Sequence, residues 1–271
     1  VGELDQDAVE EALGDNPDEI LSLLADLTAA TDPRLRQLAR TLAGRLFLDV
    51  ARTGPSRRRG IGRMVEQPYR VDGGDLDLDA STDAIVEARA LDAAIDPDRL
   101  RMRAWVRPET AICLLVDRSG SMSGAPLATA ALAAAAVSWR APTDYSVLSF
   151  ARQVVAVKSQ ERSRPADEVV DGVLALRGHG TTDLAGALVA ASEQLQRSHA
   201  RRRIVLLLSD CRSNEPGDAV GAASLLEELA IIAPEGDHGD AEDFAGEVGA
   251  RLTMVAGPSQ IPEAIARALD L

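Results

Sequence analysis

Two short apolar runs limit the folds open to this chain more than any other feature. "AICLLVD" (111–117) and "RIVLLLSD" (203–210) are too short for buried helices and lack polar alternation. Such runs suit strands covered on both faces, which occur in parallel sheets with helices above and below. Both runs end on an aspartate, Asp117 and Asp210. The sequence around them extends the pattern. "APLATAALAAAAVSW" is a small, apolar helix that sinks against a sheet, and "DYSVLSF" with "QVVAVKS" reads as a strand hairpin. "ADEVVDGVLAL", "DLAGALVAASEQLQ" and "IPEAIARALDL" have helical periodicity, whereas "LAIIAPEGD" and "ARLTMVA" are short strands. Strands alternating with helices predict an α/β fold: a doubly wound, Rossmann-like, mainly parallel sheet of about six strands.

The first third reads differently. "NPDEILSLLADLTAA" and "TDPRLRQLARTLAGRLFLDVAR" each place a proline in the first turn ahead of helically spaced leucines, with Asp32 as a cap. Residues 1–55 form an N-terminal helical region in this reading. Residues 56–108 form a basic linker and an extended connector expected to pack on the α/β domain, which occupies 109–271. Within the connector a short helix begins near Ser81. "RLRMRAWVRP" alternates apolar and basic residues as a half-buried strand.

The net charge of -14 argues against nucleic-acid binding, which needs a basic face. No stretch approaches the roughly 20 apolar residues of a membrane span, and the residues after Val1 lack the order of a secretory leader. Cys113 and Cys211 are predicted to lie roughly 13 Å apart along the sheet, too far for a disulfide, so a cytoplasmic location is expected.

Alternate residues of an extended segment share a side, so Asp117, Ser119 and Ser121 can aim oxygens at one point above the C-terminal sheet edge. Asp210 is expected beside Asp117, across the point where the strand order reverses. The Gly-rich turn "RGHGTTDLAGAL" brings Thr181 and Thr182. Neighbouring carboxylates repel unless a proton or cation intervenes, and a donor set of hard oxygens suits Mg²⁺ or Mn²⁺.

"DRSGSMSG", "GTTDLAGAL" and "LLLSDCRSNEPGD", in this order, resemble the metal-ion-dependent adhesion site of von Willebrand factor A domains, over about Glu109 to Leu271. The resemblance implies that Ser119, Ser121 and Thr182 coordinate an ion by their hydroxyls. Asp117 and Asp210 then coordinate or orient, and one position stays open for a partner's Asp or Glu. Thr182 is chosen because Ala187 and Leu188 then fall at the family's small and apolar helix positions; Thr181 is the alternative. Cys211 stands where the family often has glycine, which is tolerable unless its φ is positive. The arginine-rich stretch, "DLDLDASTDAIVEAR" and the strand that follows are similar to CoxE-type proteins and to the C-terminal part of magnesium-chelatase D subunits. That similarity implies a MoxR-like AAA+ ATPase partner and a role in maturation or in metal or cofactor insertion, with a chelatase-type subunit as the alternative.

No nucleotide-binding Gly-x-x-x-x-Gly-Lys-Ser/Thr run is present, and the expectation is a protein that is not an enzyme. A serine hydrolase using Ser119 or Ser121 is disfavoured, because Met122 stands at the centre of the would-be nucleophile elbow. His179, near the proposed site, is read as a solvent-facing loop residue. Trp105 and Trp139 are read as packing residues, and "APEGDHGDAED" as a solvated loop.

Overall fold

The structure, a computed structural model, describes residues 6–30, 32–52, 63–69, 75–91, 93–106, 110–119, 123–178 and 180–269. They fall into two compact units, one of residues 1–56 with 110–271 and one of 57–109. The first unit opens with three helices, α1 (Gln6–Asp15), α2 (Pro17–Leu27) and α3 (Pro33–Arg52). Pro17 starts α2, and the Asp32 carboxylate accepts from the amides of Arg34 and Leu35 at 2.8 and 3.1 Å, so α3 is capped as expected. Helix α1 was not foreseen.

The second unit holds β1 (Arg63–Pro68), β2 (Asp75–Leu76), α4 (Leu78–Ala90) and β3 (Arg101–Val106), with antiparallel strands in the order β1-β3-β2. The alternating segment forms the central strand. Its Met102 is buried, and Arg103 pairs with Asp77 at 2.6 Å. Asp77 also caps α4 through the Ala80 amide, which is why that helix begins three residues ahead of Ser81.

The chain then returns to the first unit with β4 (Thr110–Asp117), α5 (Gly124–Arg140), β5 (Tyr145–Phe150), β6 (Val154–Lys158), α6 (Ala166–Leu174) and α7 (Leu184–Leu195). It ends with β7 (Arg202–Leu208), α8 (Ala219–Ala223), β8 (Glu228–Pro234), α9 (Gly239–Val248), β9 (Arg251–Val255) and α10 (Ile261–Ala268). The sheet has six strands in the order β6-β5-β4-β7-β8-β9. All neighbours are parallel except the β5–β6 hairpin. This is the doubly wound α/β sheet read from the sequence. The order runs outward from β4 to β5 and then restarts at β7, so the switch point lies between β4 and β7.

Strand alternation divides the core. Ile112, Leu114, Val116, Ile204 and Leu206 face the layer of α2, α3, α5, α6 and α10. Cys113, Leu115, Val205 and Leu207 face α7 and the α8–α9 side. Every residue of α5 from Ala130 to Ser138 is buried, because α2, α3, α6 and α10 cover the face turned away from the sheet. An alanine-rich helix with no polar stripe requires cover all round.

Two segments differ from expectation. The stretch read as a solvated loop contains the start of α9, whose Ala241, Phe244 and Ala245 pack on the second core. Trp139 is 46% exposed, with the Arg52 guanidinium stacked 5.2 Å from the ring centroid, so it is not a core residue. The Trp105 side chain lies outside the described residues. Among the described residues, no helix is long and apolar enough to cross a membrane.

Candidate metal centre

Asp117 ends β4. Because Val116 pairs with Leu208 across the switch point, Ser209 and Asp210 emerge next to it. Asp117 Oδ2 accepts from the Ser209 hydroxyl at 2.7 Å, and Oδ1 accepts from the Ser119 amide at 2.8 Å. The second bond folds the chain back immediately after the strand and starts the serine loop. Ser209 also accepts from the Cys211 amide at 2.9 Å, while Asp210 Oδ1 accepts from the Arg212 amide at 3.0 Å. Ser209 is thus a buried hydroxyl tying the two aspartate loops together. It escaped the sequence reading, although its place directly before Asp210 was a signal for it.

Asp117, Ser119, Ser209 and Asp210 line one cavity of about 270 Å³ at the C-terminal edge of β4, β7, β8 and β9. Its remaining walls include Ala125, Pro126 and Thr129 of α5 and Ala256 and Gly257 beyond β9. Thr182 is not among the lining residues. It sits on the β5 side of the same edge, where the Asp183 amide donates to Ala151 O at 2.9 Å. Thr182 O accepts from the amides of Asn214 and Glu215, and its own amide donates to Asn214 Oδ1 at 3.3 Å. The loop after α6 is therefore stitched to the loop after Asp210.

The two threonines differ. The Thr181 side chain is exposed and donates to Glu215, whereas Thr182 is 1% exposed. Asp183 caps α7 through the Gly186 amide at 2.8 Å, and a Cβ on Gly186 would sit 2.4 Å from that carboxylate, so a larger residue there would displace the cap. Ser121 and His179 lie outside the described residues.

Burial holds the Asp117 carboxyl above its ordinary pKa. The Ser209 hydroxyl and the Ser119 amide and hydroxyl oppose that shift, and the Asp210 charge adds to it. Neither aspartate forms an ion pair with a basic side chain among the described residues. A mostly buried carboxylate beside another, with the hydroxyl-bearing Ser119 in the same cavity and the buried Thr182 on the same edge, fits a hard divalent cation. The described residues contain no group of three or more His, Cys, Asp or Glu able to hold a metal, so hydroxyls must complete any such set.

Cys211 departs from the expected glycine and does have positive φ, 64°. A side chain in the left-handed region costs about 1–2 kcal/mol. The residue is nevertheless buried in the second core, and this burial offsets the strain. Burial, with Asp210 and Asp117 adding to it, pushes the thiol up to about 12, as burial does for Cys113. Both thiols are free.

Comparison with solved structures finds proteins of similar fold. Proximal thread matrix protein 1 of the mussel byssus, solved with a zinc-occupied MIDAS motif, superposes with a TM-score of 0.50 at 14% identity, over 60% of this chain and 47% of that one. A von Willebrand factor type A protein from Catenulispora acidiphila gives 0.47 at 15% identity, over 61% and 43%. BatB from Bacteroides thetaiotaomicron gives 0.46 at 15%, over 59% and 97%. The chain thus spans less than half of the first two proteins. No curated protein sequence matches it. The family model described as VWA domain containing CoxE-like protein matches residues 26–251, well over half of the sequence, and the chain belongs to that family.

Proposed function

We propose that this protein is a metal-dependent protein-binding module without catalytic chemistry of its own. In this reading Asp117, Ser119, Ser121, Thr182 and Asp210 hold a divalent cation, Mg²⁺ or Mn²⁺. The bound ion inverts the local charge, so an acidic chain can capture an Asp or Glu of a partner protein. Asp117 and Asp210 supply charge, the hydroxyls supply neutral oxygens, and Ser209 orients Asp117 by its hydrogen bond.

One observation carries the reading: two carboxylates on adjacent strand ends, one mostly buried, with no ion pair to either among the described residues. The zinc-occupied motif of the mussel protein supports divalent binding in this fold, and membership of the CoxE-like family supports partner binding. The partner proposed is a MoxR-like AAA+ ATPase. The two would act in the cytoplasm on a target protein awaiting maturation or insertion of a metal or cofactor.

The test is retention of the purified ATPase on the immobilised full chain, in Mg²⁺ and in EDTA, for wild type and Asp117→Ala. The expected outcome is retention by wild type in Mg²⁺ alone. Retention indifferent to both treatments rejects the reading.

A further inference from the structure

Metal ligation does not explain what holds the start of α5 beside the cavity. Helix α5 begins at Gly124, yet Ser123 at its N-cap makes no side-chain capping bond and the first turn holds no acidic residue. A helix start presents unpaired N–H groups and partial positive charge, normally met by a nearby carboxylate or cap. Here the carboxylate comes from another helix. Asp26, near the end of α2, accepts from the Gly124 amide at 2.6 Å. Gly124 has φ +54°, and an added Cβ would lie 3.6 Å from Asp26 Oδ2, so glycine permits the left-handed turn beside the carboxylate.

The opposite end of α2 repeats the device. Asp18 accepts from the Ser259 amide at 2.7 Å, and a Cβ on Gly257 would fall 2.4 Å from Asp18 Oδ2. Asp18 and Asp26 are about 12 Å apart along the helix axis. The loops they grip border the cavity of Asp117, Ser119 and Asp210, with Gly257 on one rim and Ala125 and Pro126 on the other.

We propose that Asp26 is a positioning residue for the metal centre. From α2 it fixes the Gly124 amide, and with it the first turn of α5, whose Ala125 and Pro126 wall the cavity of Asp117 and Ser119. This rests on the metal reading above. Asp117 holds the Ser119 amide on one side of the cavity, and Asp26 holds the Gly124 amide on the other. With both amides fixed, the walls of the cavity are set before the ion arrives. Released from Asp26, the start of α5 must be ordered on binding, and affinity falls.

The experiment is Mn²⁺ titration of the full chain, with free ion read by electron paramagnetic resonance, for wild type, Asp26→Ala, Asp26→Asn and Asp18→Ala. Melting in EDTA is recorded for all four. Asp26→Ala is expected to weaken Mn²⁺ about tenfold or more, the usual effect of losing a residue that orients a ligand. Asp26→Asn keeps an oxygen acceptor and should stay within about threefold. Asp18→Ala loses the same kind of bond from the same helix. It should lower the melting temperature comparably, by about 2–4 °C, with Mn²⁺ affinity near wild type. Unchanged affinity in Asp26→Ala, or an equal loss in Asp18→Ala, overturns the inference and leaves Asp26 a stabilising cap. Wild type that takes up no Mn²⁺ overturns the metal reading itself, and this inference with it.

Discussion

Ser209→Ala tests the joint between the two aspartate loops. The hydroxyl donates to Asp117 at 2.7 Å and accepts from the Cys211 amide at 2.9 Å, and the side chain is buried. Losing a hydrogen bond to a charged group costs about 1.5–3 kcal/mol, and leaving a buried N–H unpaired costs about 1–3 kcal/mol. The two losses are not additive, because water can enter a polar cavity left at this edge, so the expected total is about 2–4 kcal/mol near neutral pH. The loss should also depend on pH with a definite sign. Burial raises the Asp117 carboxyl in the folded state, so its contribution to stability is complete below the unfolded pKa of about 3.9 and is lost as pH rises through the folded value. Ser209 opposes that shift. Its removal raises the folded value further, so the gap between wild type and variant should widen as pH rises from about 4 toward neutrality. Urea denaturation in EDTA across this range is the assay. A gap that stays flat with pH, or one below about 0.5 kcal/mol at neutral pH, would falsify the assignment of this hydroxyl to a charged carboxylate.

Two further outcomes follow from the structure. At Cys211, with φ 64° and a buried side chain, glycine removes strain and loses packing in similar measure; Cys211→Gly should leave stability within about 1 kcal/mol. Cys211→Val adds a β-branched side chain in the left-handed region and should cost at least about 2 kcal/mol more by urea denaturation, and equal stability of the two variants would remove strain from the account. Lys158 is the chain's one lysine and is 4% exposed, with its amine donating to Tyr145 O and lying 4.1 Å from the Tyr145 ring centroid. Acetic anhydride should leave it unmodified in the native chain and acetylate it in urea, as read by peptide mass; rapid native acetylation contradicts its burial.

The sequence made the central strands legible because they obey one local rule: continuous apolar residues ending where the sheet ends. β4 and β7 could be read individually, and their terminal aspartates followed from the same lines. The neighbours across the switch point followed from the general topology of doubly wound sheets, and the structure pairs Val116 with Leu208 there. Helix α9 was missed because its first residues, "GDAED", are polar and its apolar contacts, Ala241, Phe244 and Ala245, lie along one side. Helix α5 was read as resting on the sheet; its outer cover came from α2 and α3, distant in sequence.

By itself, the sequence determined the strand ends, the oxygen-rich character of the site and the proline-started helices α2 and α3, since each depends on residues close together in the chain. Tertiary structure alone decided that α2 reaches the rim of the cavity, that Ser209 links Asp117 to the Cys211 loop, and that Thr182 is buried while the hydroxyl of Thr181 is engaged by Glu215. Those facts depend on hydrogen bonds between segments 30 to 100 positions apart. Such bonds leave no periodicity in the sequence, because their partners meet only after the sheet and its helical layers have packed.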